Sequence, residues 1–330
     1  MIMNKKNEQV FVESEFAPLK RVVLAQSQFS VPTKENMQGE QFLTEDSLEV
    51  LKDAYGKDIA DALPEVQKKW ENEKENFEKL LKKYEVEVIR PRLLTENEKK
   101  DGKGEGYSNF FARDPFFVIG QMIIEGSMKF GHRKKEIMPI RHILEHEAEQ
   151  NECLYLSVPQ ADRLGEFYDM KGPFLEGGDV LVLNKEIFVG TSGLASNHEG
   201  IVWLRNFVSN FGYTVTEVPL HPKILHLDCA LSLVKDGLMI ICEEAFLEGI
   251  PESLKEWDKI SVSLEDAQKL ITNGLPLNEE VYVTDMEFQS IIGEQLTKKG
   301  IMVEYIDYSV SRSFGGSFRC TTQPLLRMNG

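Results

Sequence analysis

Cysteine is scarce in this chain. Four residues, Cys153, Cys229, Cys242 and Cys320, are spread over 330 positions with no CxxC pair, which excludes a small scaffold held by disulfides. They read as reduced thiols, and a scattered cysteine is by default a small buried hydrophobe. Basic charge is also short: Lys+Arg is 38 against 54 for Asp+Glu, a net of -16. That balance repels a phosphate backbone and excludes nucleic acid as the principal partner. No stretch approaches the roughly 18 uninterrupted apolar residues of a membrane span. The opening MIMNKKNEQVFVESEF has no apolar signal core, so a soluble, cytoplasmic protein with no membrane partner is expected. Linkers are missing too: no Pro/Gly/Ser-rich segment divides the chain, and one domain over 1–330 is expected. The glycine-rich EKKDGKGEGYS (98–108) lacks the GK[ST] ending of a phosphate loop and follows no apolar strand, so it reads as a surface loop.

With 42% hydrophobic residues there is ample material for a large core. The order of that material is repetitive. Three times an amphipathic helix runs into a short alternating strand, a connector and a second strand that opens on polar residues. WENEKENFEKLLKKYEVEVIRP leads to ARDPFFVIG, IVWLRNFVSNFGYTVTEVPL to HLDCALSLV, and FQSIIGEQLTKKGIMVEYID to GGSFRCTTQPL. A looser fourth pass joins IRHILEHEAEQNECLYLSV to FLEGGDVLVL, and several opened strands return as hairpins through turn-forming residues. Each opened strand starts with a polar residue: Asp114, Glu176, His226 with Asp228, and Cys320. If the repeats are related by rotation, these strand ends converge near the axis and the scattered side chains meet there.

Together those residues make chemical sense. A cysteine thiolate is a strong nucleophile when an imidazolium or bound cation lies beside it. A histidine shuttles protons when a carboxylate holds its ring. Two further carboxylates need a cationic partner, and a planar guanidinium bonds a carboxylate at two points. The motifs ARDPFFVIGQMIIEGSMKFGHRKKE, LEGGDVLV, HLDCALSLV and GGSFRCTTQPL, in this order, resemble the guanidino-modifying enzymes: amidinotransferases, arginine deiminases and dimethylarginine hydrolases.

The resemblance implies the pentein fold, a five-bladed pseudo-symmetric α/β propeller of ββαβ units, and a single catalytic domain. Carried over by position, Cys320 is the nucleophile, His226 the general acid and base, and Glu176 the carboxylate orienting it. Asp114 and Asp228 are the guanidinium clamps. The substrate is then an arginine-like guanidino compound, the acceptor an amine or water, and neither metal nor cofactor is called for. RDPFFVIGQMIIEGSMKFGHRKKE and GLASNHEGIVWLRNF look closest to glycine amidinotransferase-type enzymes, whereas CTTQPLLR looks like the hydrolytic branch. Ala195 and Ser196 stand where deiminases and dimethylarginine hydrolases commonly carry Arg-Thr. Arg312, in SRSFGG, is a candidate for the substrate carboxylate or else a solvated loop cation or a partner for the chain's excess acid.

Two other features ask for a reading. RHILEHE holds His142, Glu145 and His146 in the inverted zinc-protease spacing, with His132 upstream; the alternative is an amphipathic helix with Ile143, Leu144 and Ala148 inward. The acidic insertion from Gln38 to Glu65 reads as helical and surface-placed, a lid over the site or a homo-oligomer contact.

Overall fold

The computed structural model describes residues 9–37, 43–102, 104–163 and 170–328. Five three-stranded sheets make up the architecture, with two short two-stranded additions. Every large sheet follows one plan: an antiparallel hairpin joined by a third strand running parallel to its inner member. Phe116–Ile119 and Met122–Glu125 form the hairpin of one blade, and Leu154–Ser157 is its third strand. The next three blades are Val180–Leu183, Glu186–Thr191 and Thr214–Pro219, then Leu231–Lys235, Leu238–Ile241 and Asp258–Ser261, then Leu275–Asn278, Val281–Asp285 and Met302–Ile306. The fifth blade joins the two ends of the chain. Its outer strand is Thr322–Arg327, antiparallel to Leu19–Leu24, which in turn pairs in parallel with Glu87–Ile89. This is the expected α/β propeller of ββαβ units.

Local sequence explains the plan. Tight hairpin reversals need a left-handed residue, and Gly120, Asn184 and Gly237 supply it at φ 54°, 54° and 73°. The parallel third strand requires a crossover. The helix Pro64–Lys83 provides one, burying Trp70, Glu73, Lys74, Phe77 and Leu81 on a single face with Pro64 at its start. The helix His198–Val208 provides another; the Asn197 side chain caps Gly200 N at 3.0 Å while Ile201, Leu204 and Val208 turn inward. Each helix and third strand complete one blade, and the strand that follows opens the next. The sequence repeat is therefore offset from the blade.

One blade departs from the rule. Its crossover contains only the 3-10 turns Glu243–Ala245 and Glu252–Leu254 before Asp258–Ser261, so no amphipathic helix marks it in the sequence. Among the described residues no helix is long and apolar enough to cross a membrane.

The described part of the 38–65 insertion forms the short helices Glu45–Leu51 and Ile59–Ala62; residues 38–42 lie outside the described set. It is less superficial than expected. Leu51, Ala54 and Ile59 are buried with Trp70, Phe110 and Phe314 in one apolar cluster, which seats Leu43, Thr44 and Ser47 against the cavity described next.

Candidate active site

Each blade opens its first strand just after a buried polar residue. Asp114, Glu176, Asp228, Asn273 and Cys320 occupy these five positions, His226 lies one turn before Asp228, and none of the six is more than 2% exposed. Asp114, His226, Cys229 and Cys320 line one cavity, with Phe111, Lys223, Arg312 and the insertion's Leu43, Thr44 and Ser47.

His226 is the most constrained of the set. Its Nε2 lies 2.8 Å from Glu176 Oε2, and its Nδ1 lies 3.7 Å from Asp114 Oδ1. Burial opposes a charged ring, yet Asp114, the hydrogen bond to Glu176 and the nearby Asp179 outweigh it and hold His226 well above its ordinary value. Glu176 is itself fixed: Oε1 accepts Lys129 N at 2.9 Å, and the Glu176 amide donates to Ser196 Oγ at 3.0 Å. Ser196 thus serves the carboxylate through the backbone. Asp179, at the end of the same EGGD turn, accepts from Ser196 N at 3.2 Å and Leu227 N at 3.0 Å. It ties the Glu176 turn to the His226 turn, and burial first of all raises its carboxyl to about 7.

The two glycines of EGGD are demanded by close approach. A Cβ at Gly177 would come within 2.0 Å of Arg113 O, and one at Gly178 within 2.6 Å of Asp114 Oδ1 and 2.7 Å of His226 Cγ. The imidazole therefore rests directly on bare backbone.

Both expected clamp carboxylates already hold an internal guanidinium. Arg133 Nη2 donates to Asp114 Oδ2 at 2.7 Å, its Nη1 lies 3.4 Å from Glu176 Oε2, and its Nε donates to Glu136 Oε1 at 2.9 Å. Arg319 Nη1 donates to Asp228 Oδ2 at 2.8 Å, and the rest of its fork bonds Glu15 and Val180 O. Burial pushes Glu15 upward, but Arg319 and Arg113 bring it down to about 2. Burial likewise favours a neutral Asp114, and His226 with Arg133 overcomes it to lower the carboxyl. One oxygen remains free: Asp114 Oδ1 is buried with no hydrogen-bond partner.

At Cys320 the thiol donates to Asp228 Oδ2 at 3.9 Å, and the backbone amide donates to Asn273 Oδ1 at 3.0 Å. Asn273 Nδ2 in turn donates to Asp228 O at 3.3 Å. Arg133, Arg319 and Asn273 are site components that sequence reasoning did not single out. Arg319 adjoins Cys320 and Arg133 falls within FGHRKKE, so position alone was their signal.

Arg312 reaches the cavity wall, but its charge is committed. Nε donates to Asp285 Oδ2 at 2.9 Å, Nη2 donates to Glu287, and the guanidinium lies over the Phe288 ring at 4.7 Å. The zinc reading gains nothing. His142, Glu145 and His146 all sit on the exposed face of the helix Arg141–Gln150, whereas Ile143, Leu144 and Glu147 are buried. His132 is buried elsewhere, driven to about 3 by burial and by Arg133. Among the described residues no group of three His, Cys, Asp or Glu side chains could hold a metal ion.

Known proteins resemble this chain in sequence and fold. The uncharacterized protein YkgA of Bacillus subtilis (strain 168) is 29% identical over 75% of this chain and 77% of its own. The L-arginine:L-lysine amidinotransferase of Pseudomonas savastanoi pv. phaseolicola is 25% identical over 77% of this chain and 78% of its own. In fold, the inosamine-phosphate amidinotransferase StrB1 from Streptomyces griseus superposes with a TM-score of 0.79 at 23% identity, covering 97% of both chains. The protein is an enzyme of the guanidino-modifying superfamily. More narrowly, residues 39–327 match the family described as N,N dimethylarginine dimethylhydrolase, eukaryotic, and the chain belongs to that family.

Proposed function

We propose that this protein moves an amidino group from an arginine-like guanidino donor to an amine, through a covalent intermediate on Cys320. The observation that carries the reading is the cavity itself. It joins a thiol, a histidine whose neighbouring carboxylates favour its charged form and an Asp114 oxygen with no hydrogen-bond partner around one space.

The steps follow from the groups present. A substrate guanidinium enters between Asp114 Oδ1 and Asp228, where it brings positive charge beside Cys320 Sγ and favours the thiolate. The thiolate attacks the central guanidino carbon, a C–N bond breaks, and protonated His226 gives its proton to the departing nitrogen. Glu176 keeps the ring oriented throughout. Neutral His226 then takes a proton from the incoming amine, which attacks the same carbon; the C–S bond breaks and the thiolate is released. Lys223 lies at the cavity wall, placed to meet the far end of the substrate.

An amine acceptor is favoured by likeness to the arginine:lysine amidinotransferase over three quarters of both chains. A second reading has a specific observation behind it: the matched family is one of dimethylarginine hydrolases, and water in place of the amine gives that reaction in the same site. Mass spectrometry of products from guanidine-labelled arginine, with and without a pool of glycine, lysine and ornithine, tests the choice. Label on an added amine, with ornithine released, is the expected result. Citrulline, or ornithine with urea, formed without an amine would instead make the enzyme a hydrolase; if arginine is inert, dimethylarginine is the next donor to try.

A further inference from the structure

Cys229 stands beside the proposed nucleophile and has no part in the chemistry above. Its thiol donates to Asp228 Oδ1 at 3.5 Å, while the Cys320 thiol donates to Oδ2 of the same carboxylate at 3.9 Å. One carboxylate thus holds both sulfurs. The neighbouring Cys320, ahead of burial and Asp228, lifts the Cys229 thiol well above its ordinary range. Both residues line the same cavity. The other two cysteines are placed differently. Cys242 is buried in the largest apolar cluster, and Cys153 packs at another blade, where its thiol faces Glu147 O.

We propose that Cys229 and Cys320 form an oxidative modification site, in which a hydroperoxide converts the two thiols into a disulfide that takes the nucleophile out of action. The sulfur of Cys320 attacks one peroxide oxygen, the O–O bond breaks, and Cys320 becomes a sulfenic acid with loss of the first water. The sulfur of Cys229 then attacks that of Cys320 and the S–O bond breaks. The departing hydroxide takes the Cys229 proton, relayed across Asp228, and leaves as the second water. Two thiols lose two electrons and the peroxide gains them. Cys229, protonated beside Asp228, is the resolving partner and not the first to react. Its benefit is chemical: a sulfenic acid with no thiol at hand proceeds to the sulfinic state, which ordinary reductants do not reverse.

The loss of activity rests on the proposed role of Cys320, but the disulfide does not, so the test reads the thiols themselves. The purified wild-type protein is treated with a several-fold excess of hydrogen peroxide, alkylated, digested without reduction and mapped by mass spectrometry. The expected product is a peptide pair crosslinked through Cys229 and Cys320 that dithiothreitol separates, with Cys153 and Cys242 alkylated. In Cys229→Ser the same treatment is expected to leave Cys320 carrying two or three oxygens that dithiothreitol does not remove, whereas Cys242→Ser behaves as wild type. Sulfinic Cys320 beside an alkylated Cys229 in the wild-type protein would overturn the proposal, as would a disulfide to any other cysteine. Should Cys229→Ser not fold, the wild-type map decides alone.

Discussion

Arg133 and Asp114 form a buried ion pair, Nη2 to Oδ2 at 2.7 Å, with side chains 5% and 2% exposed. The same guanidinium reaches Glu136 and Glu176, so it serves three carboxylates, two of which also face His226. Burial already raises Glu136 to about 7, with Asp114 and Glu176 adding to the effect against Arg133. Removing the cation strands the anions. Arg133→Met is expected to destabilise the fold by about 3–5 kcal/mol, the usual cost of leaving a buried charge unpaired. Urea denaturation at pH 8 measures it, and the deficit should shrink towards pH 5 as Glu136 takes up its proton.

Asn273 sits at the fourth strand mouth and does not itself line the cavity, yet it grips the amide of Cys320, which does, and the Asp228 carbonyl. Asn273→Ala leaves the Cys320 amide unsatisfied in the interior, while the Asp228 carbonyl keeps Thr272 Oγ1 at 3.2 Å, a loss of about 1–3 kcal/mol in stability. Because the released loop carries the nucleophile, kcat is expected to fall much more than KM changes. Steady-state kinetics on the product of the labelled-arginine assay would read the split; a rise in KM alone would mean that Asn273 acts on binding.

The same residue marks where sequence reading stopped. The helix Pro64–Lys83 and the hairpin turns at Gly120 and Gly237 carry strong periodic and turn signals, and the four repeats they punctuate were legible. The blade completed by Asp258–Ser261 has 3-10 turns where its siblings have helices, so no 3.6-residue pattern announced it, and Asn273, which opens the strand that follows, went unread. Arg133 and Arg319 were hidden for another reason. Arg133 meets Asp114 within its own blade, but Glu176 and the Arg319 partners Glu15 and Asp228 come from other blades or distant segments, and only the folded ring sets those within bonding distance. Arg312 shows the converse: its position in sequence pointed to the cavity but could not disclose that Asp285 and Glu287 already claim its charge.

Glu176 sets the protonation of His226. Because the folded-state value of His226 lies above its ordinary value, the stability this gives is full below about pH 6.5 and is lost as pH rises through the folded value. Glu176→Gln keeps the shape and removes the charge. The His226 ring is then expected to titrate at lower pH in an NMR experiment, and the alkaline limb of the kcat/KM profile is expected to move down with it. An unmoved limb would separate that limb from His226.

The imidazole's seat offers a sharper steric test. A methyl at residue 178 would press on His226 Cγ and Nδ1 at 2.7 Å and on Asp114 Oδ1 at 2.6 Å, closer than carbon atoms pack. Neither neighbour is the free end of a flexible chain, since Glu176 and Arg133 pin them. Gly178→Ala must therefore displace the ring or the carboxylate, at about 1–3 kcal/mol for overpacking. A shift of even an ångström at a reacting group can cost roughly 10²-fold in rate. The variant is expected to fold, to melt lower than wild type, and to lose most of its turnover while Cys320 still reacts with iodoacetamide. Full activity in Gly178→Ala would mean that the His226 position has slack, and that the close contact beneath the ring is not what holds it for proton transfer.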